Sequence, residues 1–178
     1  MDSGNGCFYP LVSWLFLSAA EWSVQPAANT DWIMSGDWKE RDFPTIYLAY
    51  GSNMNIGQMN NRCPGARNLG TTMLDDYTLK FRANLNDRYV ATVDKEEGSS
   101  VPAVIWAITK DHEHVLDLRE GIGAHHYEKQ YLDIRFKGEL ITVLAYIMPV
   151  GRPEVIPDTE YYNRIMTGYR ENGIEVDG

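Results

Sequence analysis

The chain has 178 residues, enough for one domain with a hydrophobic core, and its 44% hydrophobic and 23% charged residues are typical of a soluble globular protein. Its formal charge of −9 and 16 scattered basic residues argue against nucleic-acid binding, which requires clustered Lys and Arg. Cys7 and Cys63 are too few for a disulfide framework and lack zinc-site spacing, so we expect a reducing, cytoplasmic location.

Residues 1–42 differ in composition from the rest. They contain four of the five tryptophans and no basic residue before Lys39. The apolar run from Leu11 to Ala20 is too short to span a bilayer, which takes roughly 20 apolar residues, and no basic segment precedes it as in a secretory signal. We therefore predict no membrane segment. We interpret residues 1–42 as an extension that is poorly ordered or not native, with a natural start at Met34, and residues 43–178 as the domain.

The body begins with a strand, a loop and a short helix. The β-branched and aromatic run Thr45–Tyr50 predicts a buried strand that ends at Gly51. Ile56, Met59 and Cys63 then have helical spacing, and the Pro-Gly pair that follows predicts the helix end.

The remaining pattern contains more strands than helices. Asp111 opens a helix that ends before Gly121, and a second helix ends at Asn172-Gly173. The strand candidates are Tyr77–Arg82, Tyr89–Asp94, Val101–Ile108, Tyr131–Phe136 and Leu140–Met148, with Glu-Gly-Ser-Ser and Lys-Gly-Glu among the turns that separate them. Because several turns are too short for crossover helices, the pattern predicts an α+β fold with a mostly antiparallel or barrel-like sheet.

The loop after the first strand, in the sequence YLAYGSNM, admits several chemistries. A phosphate loop is excluded because the next basic residue after Gly51 is Arg62. A nucleophilic Ser52 fits a strand-to-helix turn, but the G-x-S-x-G motif is absent and no histidine is positioned by sequence. The four histidines also do not have metal-site spacing, so we predict no metal site.

Glu120 is placed unusually for a purely structural residue. It lies in the last helical turn before Gly121, where the helix dipole disfavours a carboxylate by roughly 0.3–1 kcal/mol. The same field would raise the pKa of Glu120, which would make it a better proton shuttle near neutrality. An exposed Glu120 that pairs with a neighbour such as Lys129 is an equally good interpretation on these grounds alone.

Several ordered blocks resemble the gamma-glutamylcyclotransferase-like (AIG2-like) family. The first two are Tyr47–Asn53 and Leu116–Gly121, and Tyr127 follows them. The later matches are Ala145–Met148, Tyr162–Met166 and Glu171–Gly173. The resemblance implies a small mixed β-barrel with flanking helices. The segment Gly123–His126 departs from the family pattern, so the leaving group stays open.

The resemblance also implies a reaction and a site. The alpha-amine of a small gamma-glutamyl substrate would attack its own gamma-carbonyl, closing 5-oxoproline and releasing an amine or amino acid without a cofactor. Glu120 would move the proton, and tyrosine hydroxyls would donate to the substrate carboxylate. The implied substrate-binding residues are Tyr50, Gly51, Ser52, Asn53, Tyr127, Tyr146 and Tyr162. Two alternative functions stay open: a binding domain without turnover and a Ser52-dependent hydrolase. A homodimer stays open as the form of assembly.

Overall fold

The computed structural model describes residues 43–83 and 89–175, so the extension predicted for residues 1–42 lies outside the described residues. The strands are β1 (Thr45–Ala49), β2 (Arg67–Ala83), β3 (Tyr89–Ile108), β4 (Glu128–Phe136) and β5 (Glu139–Ile147). The helices are α1 (Ile56–Arg62), α2 (Lys110–Arg119) and α3 (Thr159–Glu171). None of the helices in the described ranges is long and apolar enough to cross a membrane.

The five strands form one mixed sheet in the order β2-β3-β1-β5-β4. β1 runs parallel to β5, and the other neighbouring pairs are antiparallel. The α+β prediction is confirmed, but the sheet is not closed into a barrel, since β2 and β4 remain its edges. A side-chain bond between them, from Thr72 Oγ1 to the Arg135 carbonyl at 3.1 Å, does not replace a backbone ladder.

One predicted turn is instead an irregularity within a long strand. The segments predicted as separate strands at Tyr89–Asp94 and Val101–Ile108 are both parts of β3, which has 20 residues. The Glu-Gly-Ser-Ser segment between them protrudes opposite a register shift in β2. Gly98 and Asp76 both take positive φ there, and the Gly98 amide donates to Asp76 Oδ1 at 3.0 Å. Pairing with β2 therefore skips residues 96–99 and resumes on both sides of them, so the two predicted strands are the two halves of one interrupted strand.

The core lies along β1, β3 and β5. Leu48, Ile105 and Leu144 are at most 1% exposed, and Leu116 of α2 is fully buried with them. The prediction of a buried first strand is confirmed, because β1 is enclosed between β3 and β5. The loop that follows β1 therefore begins within the buried core.

Helix α3 packs against the loop that follows β1. A Cβ at Gly168 would lie 2.8 Å from the Asn55 nitrogen, so the close approach of the two segments requires glycine. Asn172 Nδ2 donates to the Met54 carbonyl at 2.9 Å, and Glu171 accepts from the Ile56 amide at 2.8 Å. The predicted helix end at Asn172-Gly173 is confirmed, and this end of α3 fixes the loop in place.

Candidate active site

The loop after β1 contacts β3 at Gly51. Ser52–Met54 form a short 3-10 helix, whose first bond runs from the Met54 amide to the Gly51 carbonyl at 3.0 Å. A Cβ at Gly51 would lie 3.3 Å from Ala91 Cβ and 3.5 Å from the Tyr161 hydroxyl. Its φ of −113° is open to any residue. Glycine is therefore favoured here by a tight contact with β3 rather than by an unusual φ.

Two adjoining cavities meet at this loop. The inner one, which we call the recess, has a volume of about 40 Å³. The outer one, the cleft, has a volume of about 490 Å³ and shares Ser52, Glu120, Tyr127 and Tyr161 with the recess. The recess is lined by Tyr47, Tyr50, Gly51, Ser52, Asn53, Ala91, Glu120, Tyr127, Tyr146 and Tyr161. Residues that are far apart in sequence thus surround one small space.

The structure brings together all but one of the residues implied by the resemblance. Tyr162 is 46% exposed and lines neither cavity. Its neighbour Tyr161 lines both. Successive residues on an α-helix point about 100° apart, so a shift of one position moves a side chain from the cavity wall to the surface. Sequence reasoning named the adjacent tyrosine and missed Tyr161.

Glu120 ends α2 as predicted. It is the C-terminal cap residue, and Gly121 follows in the left-handed region with φ of 65°. A Cβ at Gly121 would also lie 2.8 Å from His126 Nδ1. The turn after Glu120 thus requires glycine both for its backbone angle and for the close approach of the His126 ring.

Among the residues that the structure describes, the partners of the Glu120 carboxylate all contact one of its two oxygens. Its Oε1 accepts from Asn53 Nδ2 at 3.2 Å and lies 3.6 Å from Arg62 NH1. Within the described ranges, Oε2 has no hydrogen-bond or ion-pair partner. The side chain is 16% exposed and lines both cavities. Oε2 is therefore available to a bound molecule.

The protonation of Glu120 is governed by burial. Burial raises the pKa of Glu120, and the Arg62 charge and the Asn53 hydrogen bond oppose the shift only in part. The rise agrees with the sequence-based expectation, although burial rather than the helix dipole is its largest cause. The alternative pairing with Lys129 is wrong, because Lys129 binds Glu113 at 2.8 Å and Asp117 at 2.7 Å.

Helix α1 fixes the orientation of the Asn53 amide. Its oxygen accepts from Arg62 NH1 at 2.6 Å and from Gln58 Nε2 at 3.0 Å. Two donors on Oδ1 leave Nδ2 to donate to Tyr47 Oη at 2.8 Å and to Glu120. Sequence reasoning missed Gln58 and Arg62, whose helical spacing alone gave no sign of a role in the site.

The hydroxyl protons of three recess tyrosines are used within the protein. Tyr50 donates to the carbonyl of Tyr146, Tyr127 donates to the Ala91 carbonyl at 2.6 Å, and Tyr146 donates to Asp117 Oδ1 at 2.7 Å. A phenol oxygen that donates its proton can still accept a hydrogen bond. In this geometry these hydroxyls suit an ammonium group better than a carboxylate.

Ser52 lacks the geometry of an activated nucleophile. Its Oγ accepts from Gln58 Nε2 at 2.9 Å. All four histidines lie in the part of the chain that the structure describes, and none of them forms a hydrogen bond with Ser52. The same residues contain no group of three His, Cys, Asp or Glu side chains that could hold a metal ion. The side chains around the recess thus offer one acid, several phenols and amides.

Comparison with known proteins places the recess inside a matched region. A family model described as gamma-glutamyl cyclotransferase, AIG2-like, matches residues 47–164, more than half of the chain and every residue that lines the recess. The chain is 28% identical over 136 residues to a gamma-glutamylcyclotransferase of Mus musculus, which covers 72% of each chain. It is 27% identical over 139 residues to a gamma-glutamylcyclotransferase of Homo sapiens, covering 74% of this chain and 73% of the relative.

A solved structure is similar over the same share of the chain. The structure of a gamma-glutamyl cyclotransferase superposes with a TM-score of 0.68 at 26% identity, covering 73% of this chain and 80% of that chain. The fold and the sequence pattern therefore point to the same family.

Proposed function

The chain belongs to the gamma-glutamyl cyclotransferase, AIG2-like family, and we propose that it cyclises a gamma-glutamyl amine or amino acid to 5-oxoproline. The observation that carries this proposal is Oε2 of Glu120, which has no partner among the described residues and lies at the recess on a carboxylate whose pKa is raised by burial. A base of this kind can take a proton near neutral pH and return it.

The proton of the substrate follows a closed path. Glu120 takes a proton from the alpha-ammonium group, and the resulting amine attacks the gamma-carbonyl carbon. The electron pair of the carbonyl moves to its oxygen and returns when the bond to the leaving nitrogen breaks. Glu120 then gives its proton to that nitrogen. It takes the second proton of the attacking nitrogen as the lactam N–H forms and passes it to the released amine, which leaves as an ammonium, so no net proton is consumed. Because nucleophile and electrophile belong to one molecule, holding the folded conformer supplies an entropic advantage.

The recess offers partners for both ends of this reaction. The phenol oxygens of Tyr50 and Tyr127, whose protons are used elsewhere, can accept from the alpha-ammonium group. The backbone N–H groups of Ser52 and Asn53 come before the first hydrogen bond of the 3-10 helix, so they have no partner within that helix. They can donate to the carbonyl oxygen as charge develops on it.

The test is an assay for 5-oxoproline by mass spectrometry. The protein is incubated with gamma-glutamyl amino acids, a gamma-glutamyl group on the epsilon-amine of lysine, and simple gamma-glutamyl amines. We expect 5-oxoproline from at least one of them. The matched control is the same substrate with an acetylated alpha-amine, which cannot cyclise. Release of glutamate instead of 5-oxoproline would indicate hydrolysis, and binding without any product would indicate a non-catalytic domain; either result would overturn the proposal.

A further inference from the structure

Tyr47 is a recess residue to which neither the sequence motifs nor the proposed reaction assigns a role. It lies on β1, opposite Trp106 of β3, and is 4% exposed. Its ring meets the Tyr146 ring edge-on at a centroid distance of 5.7 Å. The central strand and this aromatic contact therefore hold its hydroxyl in a fixed position at the recess.

The hydrogen bonds of Tyr47 differ from those of its neighbours. Its oxygen accepts from Asn53 Nδ2 at 2.8 Å. Within residues 43–83 and 89–175, no protein group accepts its proton, whereas the protons of Tyr50, Tyr127 and Tyr146 all have acceptors. Tyr161, the remaining recess tyrosine, accepts from the Ala91 amide at 3.0 Å and, among the described residues, also has no acceptor for its proton, but only Tyr47 shares the Asn53 amide with Glu120. Tyr47 thus brings an uncommitted donor to the part of the hydrogen-bond network that contains the acid.

This hydroxyl stays protonated under ordinary conditions. Burial, followed by the nearby charge of Glu120, raises the pKa of Tyr47 far above its usual value. Tyr47 is therefore a neutral donor rather than a base. The hydrogen bond that it accepts from Asn53 polarises its own O–H and makes it a better donor.

We propose that Tyr47 is a further catalytic residue, whose O–H donates to the gamma-carbonyl oxygen of the substrate as that oxygen gains charge. The inference rests on the proposed cyclisation. Asn53 Nδ2 links the Tyr47 oxygen at 2.8 Å to Glu120 Oε1 at 3.2 Å, so hydroxyl and carboxylate lie within two hydrogen bonds of each other. The nitrogen that passes its proton to Glu120 is the one that bonds to the carbonyl carbon.

The carbonyl oxygen therefore gains its charge near Glu120, in the recess that Glu120 and Tyr47 both line. No proton leaves Tyr47. Its hydrogen bond strengthens while the carbonyl electron pair is on oxygen and weakens when that pair returns. A donor that acts mainly in the transition state accelerates turnover rather than tightening substrate binding.

The test replaces Tyr47 by Phe, which removes only the hydroxyl. Loss of one donor to a developing oxyanion typically costs about 10²–10³-fold in kcat, and we expect a fall of that size with KM within about twofold. Tyr169→Phe is the matched control, because Tyr169 is 5% exposed on α3 and lies outside both cavities. It is expected to leave kcat unchanged.

Two further measurements separate direct donation from other roles. If Tyr47 acted only by positioning Asn53 and Glu120, Tyr47→Phe would shift the acidic limb of the pH profile of kcat/KM; we expect that limb to stay in place. If the Phe variant is unstable, Tyr47 is replaced by 4-aminophenylalanine, which keeps a donor of similar size. We expect it to be at least about tenfold faster than the Phe variant.

The outcomes distinguish this inference from the proposed function. Wild-type turnover in Tyr47→Phe, a rise in KM alone, a shifted acidic limb, or no recovery with 4-aminophenylalanine would each overturn the role of Tyr47 while 5-oxoproline formation stands. Absence of 5-oxoproline from the wild-type protein would overturn both.

Discussion

Two carboxylates, Glu113 within α2 and Glu120 at its C-terminal cap, lie two helical turns apart in contrasting surroundings. Their side chains are 10% and 16% exposed. Glu113 Oε2 accepts from Thr45 at 2.7 Å and Lys110 at 2.8 Å, and its Oε1 accepts from Lys129 at 2.8 Å. Glu120 has two longer contacts, both to one oxygen.

The different partners shift the two acids in opposite directions. Burial opposes the charge on Glu113, but the bonds from Lys110, Lys129 and Thr45 outweigh it and lower the pKa of Glu113 to about 2. Burial of Glu120 prevails over its weaker partners and raises its pKa. A carboxylate whose two oxygens are both bound stays charged and holds elements together, while one with a free oxygen can exchange a proton with a ligand.

The strongest test of this contrast is Glu120→Gln. The amide keeps the shape of the side chain but cannot carry the proton, so we expect the rate of 5-oxoproline formation to fall by about 10²–10⁴-fold. Stability should be unchanged or slightly higher, since a buried charge is removed. A gamma-glutamyl ligand should still raise the melting temperature of the variant. Near-normal turnover would remove Glu120 from the proton path.

The reciprocal change, Glu113→Gln, should affect stability instead of chemistry. It removes the charge that Lys110, Lys129 and Thr45 bind, and from the lowered pKa we expect a loss on the order of 3 kcal/mol in the free energy of unfolding near neutral pH. Denaturant titration measures this loss. Turnover per folded molecule should remain close to wild type. A fall as large as that expected for Glu120→Gln would contradict a purely structural role for Glu113.

Acid should erase the stability difference between wild type and Glu113→Gln. A carboxylate with a depressed folded pKa stabilises the protein fully above its unfolded value, near 4.5, and this stabilisation is lost as pH falls from there through about 2. Unfolding curves of the two proteins should therefore converge over that window. A difference that persists undiminished at pH 2 would mean that Glu113 acts by packing rather than by charge.

The smallest expected effect is at Tyr146, which joins the two regions. Its hydroxyl binds Asp117, Asp117 binds the same Lys129 that holds Glu113, and its ring lines the recess. Tyr146→Phe should raise KM a few-fold with little change in kcat, which is the signature of lost uniform binding. Steady-state kinetics test this. A large fall in kcat with unchanged KM would place Tyr146 in the proton path.

Local signals predicted the parts of this site that are set within a few residues. The strand that ends at Gly51, the helix end at Gly121 and the hairpin of β4 and β5 follow from turn and cap residues close in sequence. The long β3 was missed because its continuity depends on pairing with β2 on both sides of the Glu-Gly-Ser-Ser segment, which by itself favours a turn. Pairing between distant segments cannot be recognised from the residues of one segment alone.

The orientation of site residues depended on contacts between distant segments. Arg62 and Gln58 act on Asn53 only because α1 turns back over the loop, and the helical spacing of that segment is satisfied by its apolar residues alone. The choice between Tyr161 and Tyr162 depends on a rotation of one helical position, which the motif does not define. The family pattern thus named most of the residues that line the recess, and the three-dimensional structure was needed to orient them.

The docking of α3 on the loop has a consequence for the order in which the site is made. Asn172 and Met54, joined by a hydrogen bond, are 118 positions apart. During synthesis, the recess residues from Tyr47 to Tyr146 leave the ribosome before the helix that holds their loop. Closing so long a stretch of chain carries a larger entropy cost than forming a hairpin. The loop after β1 is therefore translated well before the helix that holds it in place.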